Sequence, residues 1–185
     1  MKKYDSIELL DQLQSDVREI LANAVKLKNE DSGKLLLQPG PGKWSVVQVL
    51  EHLNSYGRYY LAEMDRSLQM DLPATGKFTP GWLGNYFTKL MLPTANGTIG
   101  KKMRSPKDHH PPADLDVYPV LNTFIEQQHH LLQQLEKAKT KDIGRIRTPI
   151  SISRFIRLKL GDTFRFFIAH EQRHFVQIAR VMDEQ

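Results

Sequence analysis

Four long stretches of this chain space their apolar residues three or four positions apart, the spacing that gathers them on one stripe of an α-helix and calls for helix-on-helix packing. The first runs from Ser6 to Lys28 through Ile7, Leu10, Leu13, Val17, Ile20, Leu21, Ala24 and Leu27. The second has its start specified locally. Ser45 serves as N-cap, Gln48 follows three residues on as in a capping box, and Trp44 precedes the cap with Val49 as its staple partner. Its inner stripe is Val49, His52, Leu53, Tyr56, Tyr60, Glu63 and Met64, running to about Leu68. The third stretch spans about Asp116 to Lys139, with Val117, Val120, Leu121, Phe124, Ile125, Leu131, Leu132 and Leu135 inward and Gln128 at a seam position. Pro119 falls in its first turn, where a missing N–H does no harm. The fourth closes the chain, with Asp162 expected as its cap.

Proline and glycine mark the connections. The segment "NEDSGKLLLQPGPGK" separates the first two helices, and residues 72–113 read as a long crossover holding one short helical piece, "TPGWLGNYFTKLML". The segment between the third and fourth helices reads as loop, with a brief extended piece around Ile150 to Ile156. The expected fold is all-α: a four-helix bundle with a long crossover between helices two and three, negligible strand, and one domain over 1–185. A length of 185 residues at 40% apolar content suits one such core. The N-terminus "MKKYDSIELLDQLQ" enters an amphipathic pattern at once, so the expectation is a soluble cytoplasmic protein without a membrane partner.

The chemistry-bearing residues are histidines. The chain has 7 of them and no cysteine, so any metal is held by nitrogen and oxygen ligands. Near the C-terminus "IAHEQRHFVQIARV" sets His170, Glu171 and His174 in an H-E-x-x-H arrangement. At about 100° per residue, His170 and His174 lie one turn apart on the inner arc, with Glu171 near its middle and Arg165, Gln172, Arg173 and Arg180 on the opposite side. His52 faces inward from the second helix, and buried imidazoles need partners. Three inward histidines are explained by a metal that keeps an open coordination position. A peptidase of the zincin type is not expected, because no further histidine follows His174, the sole acidic residues after it are Asp183 and Glu184 at the end of the last helix, and no β-rich subdomain is present to bind a peptide. Glu171 reads either as a base or as a hydrogen-bonding support for a ligand, with support favoured. Gln128 reads either as a contact to the site or as a satisfied core amide. His129 and His130 read as partly exposed helix residues, His109 and His110 as solvated loop residues, Tyr56 and Tyr60 as core aromatics, and Trp44 as structural.

Two blocks, "GKWSVVQVLEHL" and "FRFFIAHEQRHFVQIARV" with Gln177 after the histidine pair, resemble the DinB/YfiT-like superfamily, specifically its DinB_2 branch. The resemblance runs from the first helix to the C-terminus. It implies a four-helix bundle with a divalent metal, usually assigned as zinc or nickel, on three histidines that map onto His52, His170 and His174. It also implies a common tendency to dimerise. Members include thiol S-transferases using bacillithiol or mycothiol, a thiol-dependent isomerase, proteins assigned as hydrolases and many of unknown function.

The expected function is therefore metal-dependent activation of a thiol or of water, in a thiol S-transferase or hydrolase, with Glu171 and Gln128 as the residues to test for a catalytic role. Its partners would be a small-molecule electrophile and a low-molecular-weight thiol, with Lys101, Lys102, Arg104, Arg154 and Arg157 available to rim the mouth for an anionic thiol. The alternative is a non-catalytic metal-binding stress-response bundle. A net charge of +5 weakly permits an anionic partner, but there is no recognition helix or dense basic run, so no nucleic acid partner is expected.

Overall fold

The computed structural model describes residues 2–94, 97–100 and 105–184, without the side chain of Arg154. Among the described residues six α-helices carry the fold: α1 (Ser6–Leu27), α2 (Ser32–Leu36), α3 (Val46–Leu68), α4 (Trp82–Met91), α5 (Val117–Ala138) and α6 (Leu160–Asp183). The four long ones coincide with the four periodic stretches. Asp5 caps α1 by accepting from the N–H groups of Ile7 and Glu8. The capping box at the head of α3 forms as the sequence indicates, Ser45 and Gln48 each accepting from the other's backbone N–H. A cap that satisfies otherwise orphaned donors fixes where the helix begins. It thereby sets the angular position of His52, seven residues on.

The inward stripes of α1, α3, α5 and α6 merge into one apolar cluster that includes Leu10, Val17, Leu53, Met64, Phe124, Leu131, Phe164 and Phe167. The fold is all-α and bundle-like, with α3 packed on α5 and α6, α1 packed on α5 and α6, and α4 laid against α6. Close approach of α4 to α6 depends on Gly84, where an added Cβ would fall 2.4 Å from the Asp162 side chain.

Two expectations about this end of the molecule are corrected. Asp162 does not cap the last helix. That helix begins two residues earlier, with Lys159 at the cap position and no side-chain cap bond, because the preceding strand delivers the chain directly into it. Asp162 instead accepts from the Gly81 N–H at 2.6 Å and from Arg165 at 3.2 Å, tying α4 to α6. Strand is also more than negligible. β1 (Tyr4–Asp5) pairs with β2 (Lys77–Phe78), and β3 (Arg147–Ile150) pairs antiparallel with β4 (Ser153–Lys159). The hairpin extends beyond the expected piece at Ile150 to Ile156 on both sides. Its buried Thr148, Ile150 and Leu158 close one end of α3, where Ser67 bonds Thr148 and the Ser151 N–H donates to the Tyr60 hydroxyl. No helix among the described residues is long and apolar enough to cross a membrane.

Candidate metal centre

α3 and α6 bring His52, His170 and His174 together. One nitrogen from each lies within 4.8 Å of the others. His52 is 3% exposed and His170 is 6% exposed, and His174 is half-buried at the rim. The one-turn spacing on α6 puts His170 Nε2 and His174 Nε2 3.1 Å apart. Two nitrogens bound tetrahedrally to one ion at 2.0–2.1 Å would stand about 3.3 Å apart, so this pair is already near ligating separation.

Hydrogen bonding decides which nitrogens face inward. A carbonyl oxygen only accepts, so His52 Nδ1 carries a proton and donates it to the His109 carbonyl at 2.8 Å. His174 Nδ1 likewise donates to Gln177 Oε1 at 2.9 Å. Both rings are left with an Nε2 lone pair, the usual result when the second ring nitrogen of a ligating histidine is held by an outer acceptor. His170 differs, for among the described residues its buried Nδ1 has no hydrogen-bond partner. Against the bare lone pair of His174, His170 Nε2 is the donor in the 3.1 Å contact.

Burial keeps all three rings neutral. It pushes His52 down to about 4, His174 to about 3 and His170 well below the ordinary value, with repulsion from His109 and His110 adding at His52 and repulsion from His52 adding at His170 and His174. Three neutral imidazoles facing one point fit a metal ion. Their walls are aromatic. Trp44 lies 4.9 Å from His52, Tyr56 lies edge-on to His52 and His170 at 5.0 and 4.7 Å, and Phe166 stacks on His170 at 6.4 Å.

A profile of the DinB superfamily matches residues 8–178, which takes in all three histidines and nearly the whole chain. The chain belongs to the DinB superfamily. No curated protein and no solved structure matches it.

On this DinB scaffold Glu171 faces away from the imidazoles. It is 1% exposed, and its Oε1 accepts from Gln128 Nε2 at 2.8 Å across the core. Burial raises its pKa to about 8, the Gln128 bond opposing only in part, so the carboxyl is protonated at neutral pH. Among the described residues Glu171 Oε2 and Gln128 Oε1 have no hydrogen-bond partner.

Other sequence expectations fare unevenly. His109 is not solvated: its ring stacks on Tyr56 with centroids 3.7 Å apart. The proline-rich surroundings hid a 3₁₀ turn, Lys107–His109, that lays the loop on α3. His110 is exposed but edges Trp44 at 5.8 Å, so Trp44 lines the site as well as starting a helix. Arg173 is buried, contrary to its expected place on the open side, because α6 is flanked by α1, α3 and α4 rather than by two neighbours. Its charge is among the causes that depress His170 and His174. His129 is exposed, and His130 pairs with Asp65 at 2.9 Å, so neither joins the cluster. Lys101, Lys102, Arg104 and the Arg154 side chain lie outside the described residues, and Arg157 is exposed on β4.

Proposed function

We propose that this DinB superfamily member is a metal-dependent enzyme in which His52, His170 and His174 hold a zinc or nickel ion and a small electrophile reacts with a low-molecular-weight thiol or with water. The carrying observation is the buried, neutral three-imidazole group, which among the described residues has no fourth protein ligand. When bound, the metal supplies Lewis acidity that brings the pKa of a thiol or water toward neutrality. The protein's part is to gather three imidazoles on one point, two of them with Nε2 lone pairs fixed by outer acceptors, and to exclude bulk water with Trp44, Tyr56 and Phe166. Buried Arg173 adds positive charge beside His170 and His174, and this supports an anionic thiol over a neutral cosubstrate.

Glu171 and Gln128 act in this reading as a pair that sets the depth and rotation of α6, and through it the two α6 histidines. As a protonated acid bonded to an amide, Glu171 supports the site and does not serve as a base at neutral pH. The same observation favours the second reading, a non-catalytic metal-binding bundle, because it leaves the group without a carboxylate base. The two are separated by assaying reconstituted protein against a chlorodinitroarene with a panel of low-molecular-weight thiols, and against ester substrates without thiol. Metal-dependent turnover supports the enzyme. A loaded centre whose spectrum ignores added thiol and imidazole, with no turnover, supports the bundle protein. The location in the cytoplasm, the single-domain organisation, the lack of nucleic acid and membrane partners, and a homodimer complete the proposal, the dimer being checked by light scattering.

A further inference from the structure

The three imidazoles are not equally supported. His174 leans on Gln177, three residues along the same helix, so its support persists whatever the loops do. His170 has no hydrogen-bond partner at Nδ1 among the described residues. His52 alone is held from a distant segment, through the carbonyl of a loop residue.

That carbonyl is itself clasped. The Ser55 hydroxyl has one proton and donates it to the His52 carbonyl at 2.8 Å, so at 2.9 Å from His109 Nδ1 it must accept. His109 is therefore the Nδ1–H tautomer, and a closed circuit results: His109 N–H to Ser55, Ser55 O–H to the His52 carbonyl, His52 N–H back to the His109 carbonyl. The His109 ring is pressed flat on Tyr56, the planes 18° apart. The loop is stiffened from within, by His109 N–H to the Pro106 carbonyl at 3.0 Å, His110 N–H to Lys107 at 3.1 Å and His110 Nε2 to the Ser105 carbonyl at 3.2 Å. The His109 side chain thus fastens the loop by a stacked ring and a hydrogen bond. The loop's contribution to the site is a backbone atom.

We infer that His109 is a positioning residue for the metal centre, and that residues 105–110 form a strap which locks His52 in the tautomer and rotamer that present Nε2 to the ion. The inference rests on the metal-centre reading. Freed of the strap, His52 exchanges tautomers, and the ion is left with the two α6 histidines until the strap returns.

The test uses the full chain loaded with zinc or nickel. Removal of an outer hydrogen-bond partner typically weakens metal binding 10–100-fold, so His109→Ala is expected to release metal roughly 10-fold faster to a chelator in stopped flow. Ser55→Ala should move the rate the same way by less, and His109→Phe, which keeps the stack, should fall between wild type and His109→Ala. A metal-free readout accompanies it: ¹⁵N shifts of the His52 ring should report pure Nδ1–H in the wild-type apoprotein and a tautomer mixture in His109→Ala. If His109→Ala fails to fold, Ser55→Ala carries both readouts. Wild-type protein that binds no ion overturns the metal reading while the tautomer measurement still decides the strap. Wild-type protein that binds, with release rate and His52 tautomer unchanged in the variants, overturns the strap alone.

Discussion

Two faces of α6, one residue apart in sequence, solve burial of polar groups in opposite ways. On one, His170 and His174 meet His52 as neutral imidazoles with one nitrogen of each gathered on one point, an arrangement that gains from a cation. On the other, Glu171 stays a neutral acid bonded to Gln128 and gains from none. Neither face keeps a charge, because burial penalises ionisation whatever its sign. The difference lies in what the groups face: imidazole nitrogens gathered on one point on the histidine face, and an amide bonded to the carboxyl on the acid face. An H-E-x-x-H string therefore does not by itself bring its glutamate to the metal. Here it divides the motif between a ligand site and the core.

The comparison breaks most visibly on the histidine side. His52→Ala, His170→Ala and His174→Ala should each lose most bound metal, by at least about 100-fold in affinity, measured by competition with a chromophoric chelator, while Glu171→Gln keeps it. Equal losses in all four would erase the distinction. Gln177→Ala should weaken metal binding roughly 10-fold by freeing the His174 ring, an outer-partner effect of ordinary size.

On the acid side the expected change is in stability. Gln128→Leu strands a buried carboxyl, and should destabilise the apoprotein by about 1–3 kcal/mol in denaturant titration with metal stoichiometry unchanged. The smallest effect is one of pH. A carboxyl raised in the folded state from 4.5 to about 8 contributes stability that is full below 4.5 and is lost as pH rises toward 8. The depressed histidines act oppositely, their contribution being lost as pH falls from 6.5 toward about 4. From about one unit above their unfolded value of 6.5 the histidines are neutral in both states, so between about pH 7.5 and 8 apoprotein stability should decline with pH in wild type. In Glu171→Gln the slope should flatten, and a slope identical in the two would return Glu171 to an ionised state.

Sequence spacing alone located the four long helices, the capping box at Ser45 and the three inward histidines. Each follows from a local rule, since apolar period and cap chemistry are written in adjacent residues. What stayed hidden depends on contacts between remote segments. Asp162 has the residue type of a cap, yet its position is decided by a strand that the β-branched run from Ile150 to Ile156 only partly announces, and its oxygen is claimed by Gly81 from α4. His109 sits in a proline-rich stretch that reads as solvent, and its stack on Tyr56 follows from where a long crossover lands. Arg173 falls on the outer side of an isolated helical wheel, and the wheel does not count a third neighbouring helix. A histidine pair within an otherwise turn-forming crossover was the available signal for the strap.

The central claim, that three imidazoles of this chain form one metal site, is tested most directly by X-ray absorption on untagged protein reconstituted with zinc or nickel and freed of excess ion. The account predicts about one ion per chain, with three imidazole nitrogens at about 2.0–2.1 Å and an added ligand that free thiol replaces with sulfur. Protein that retains no ion after reconstitution, or an ion surrounded by oxygen alone, would contradict it.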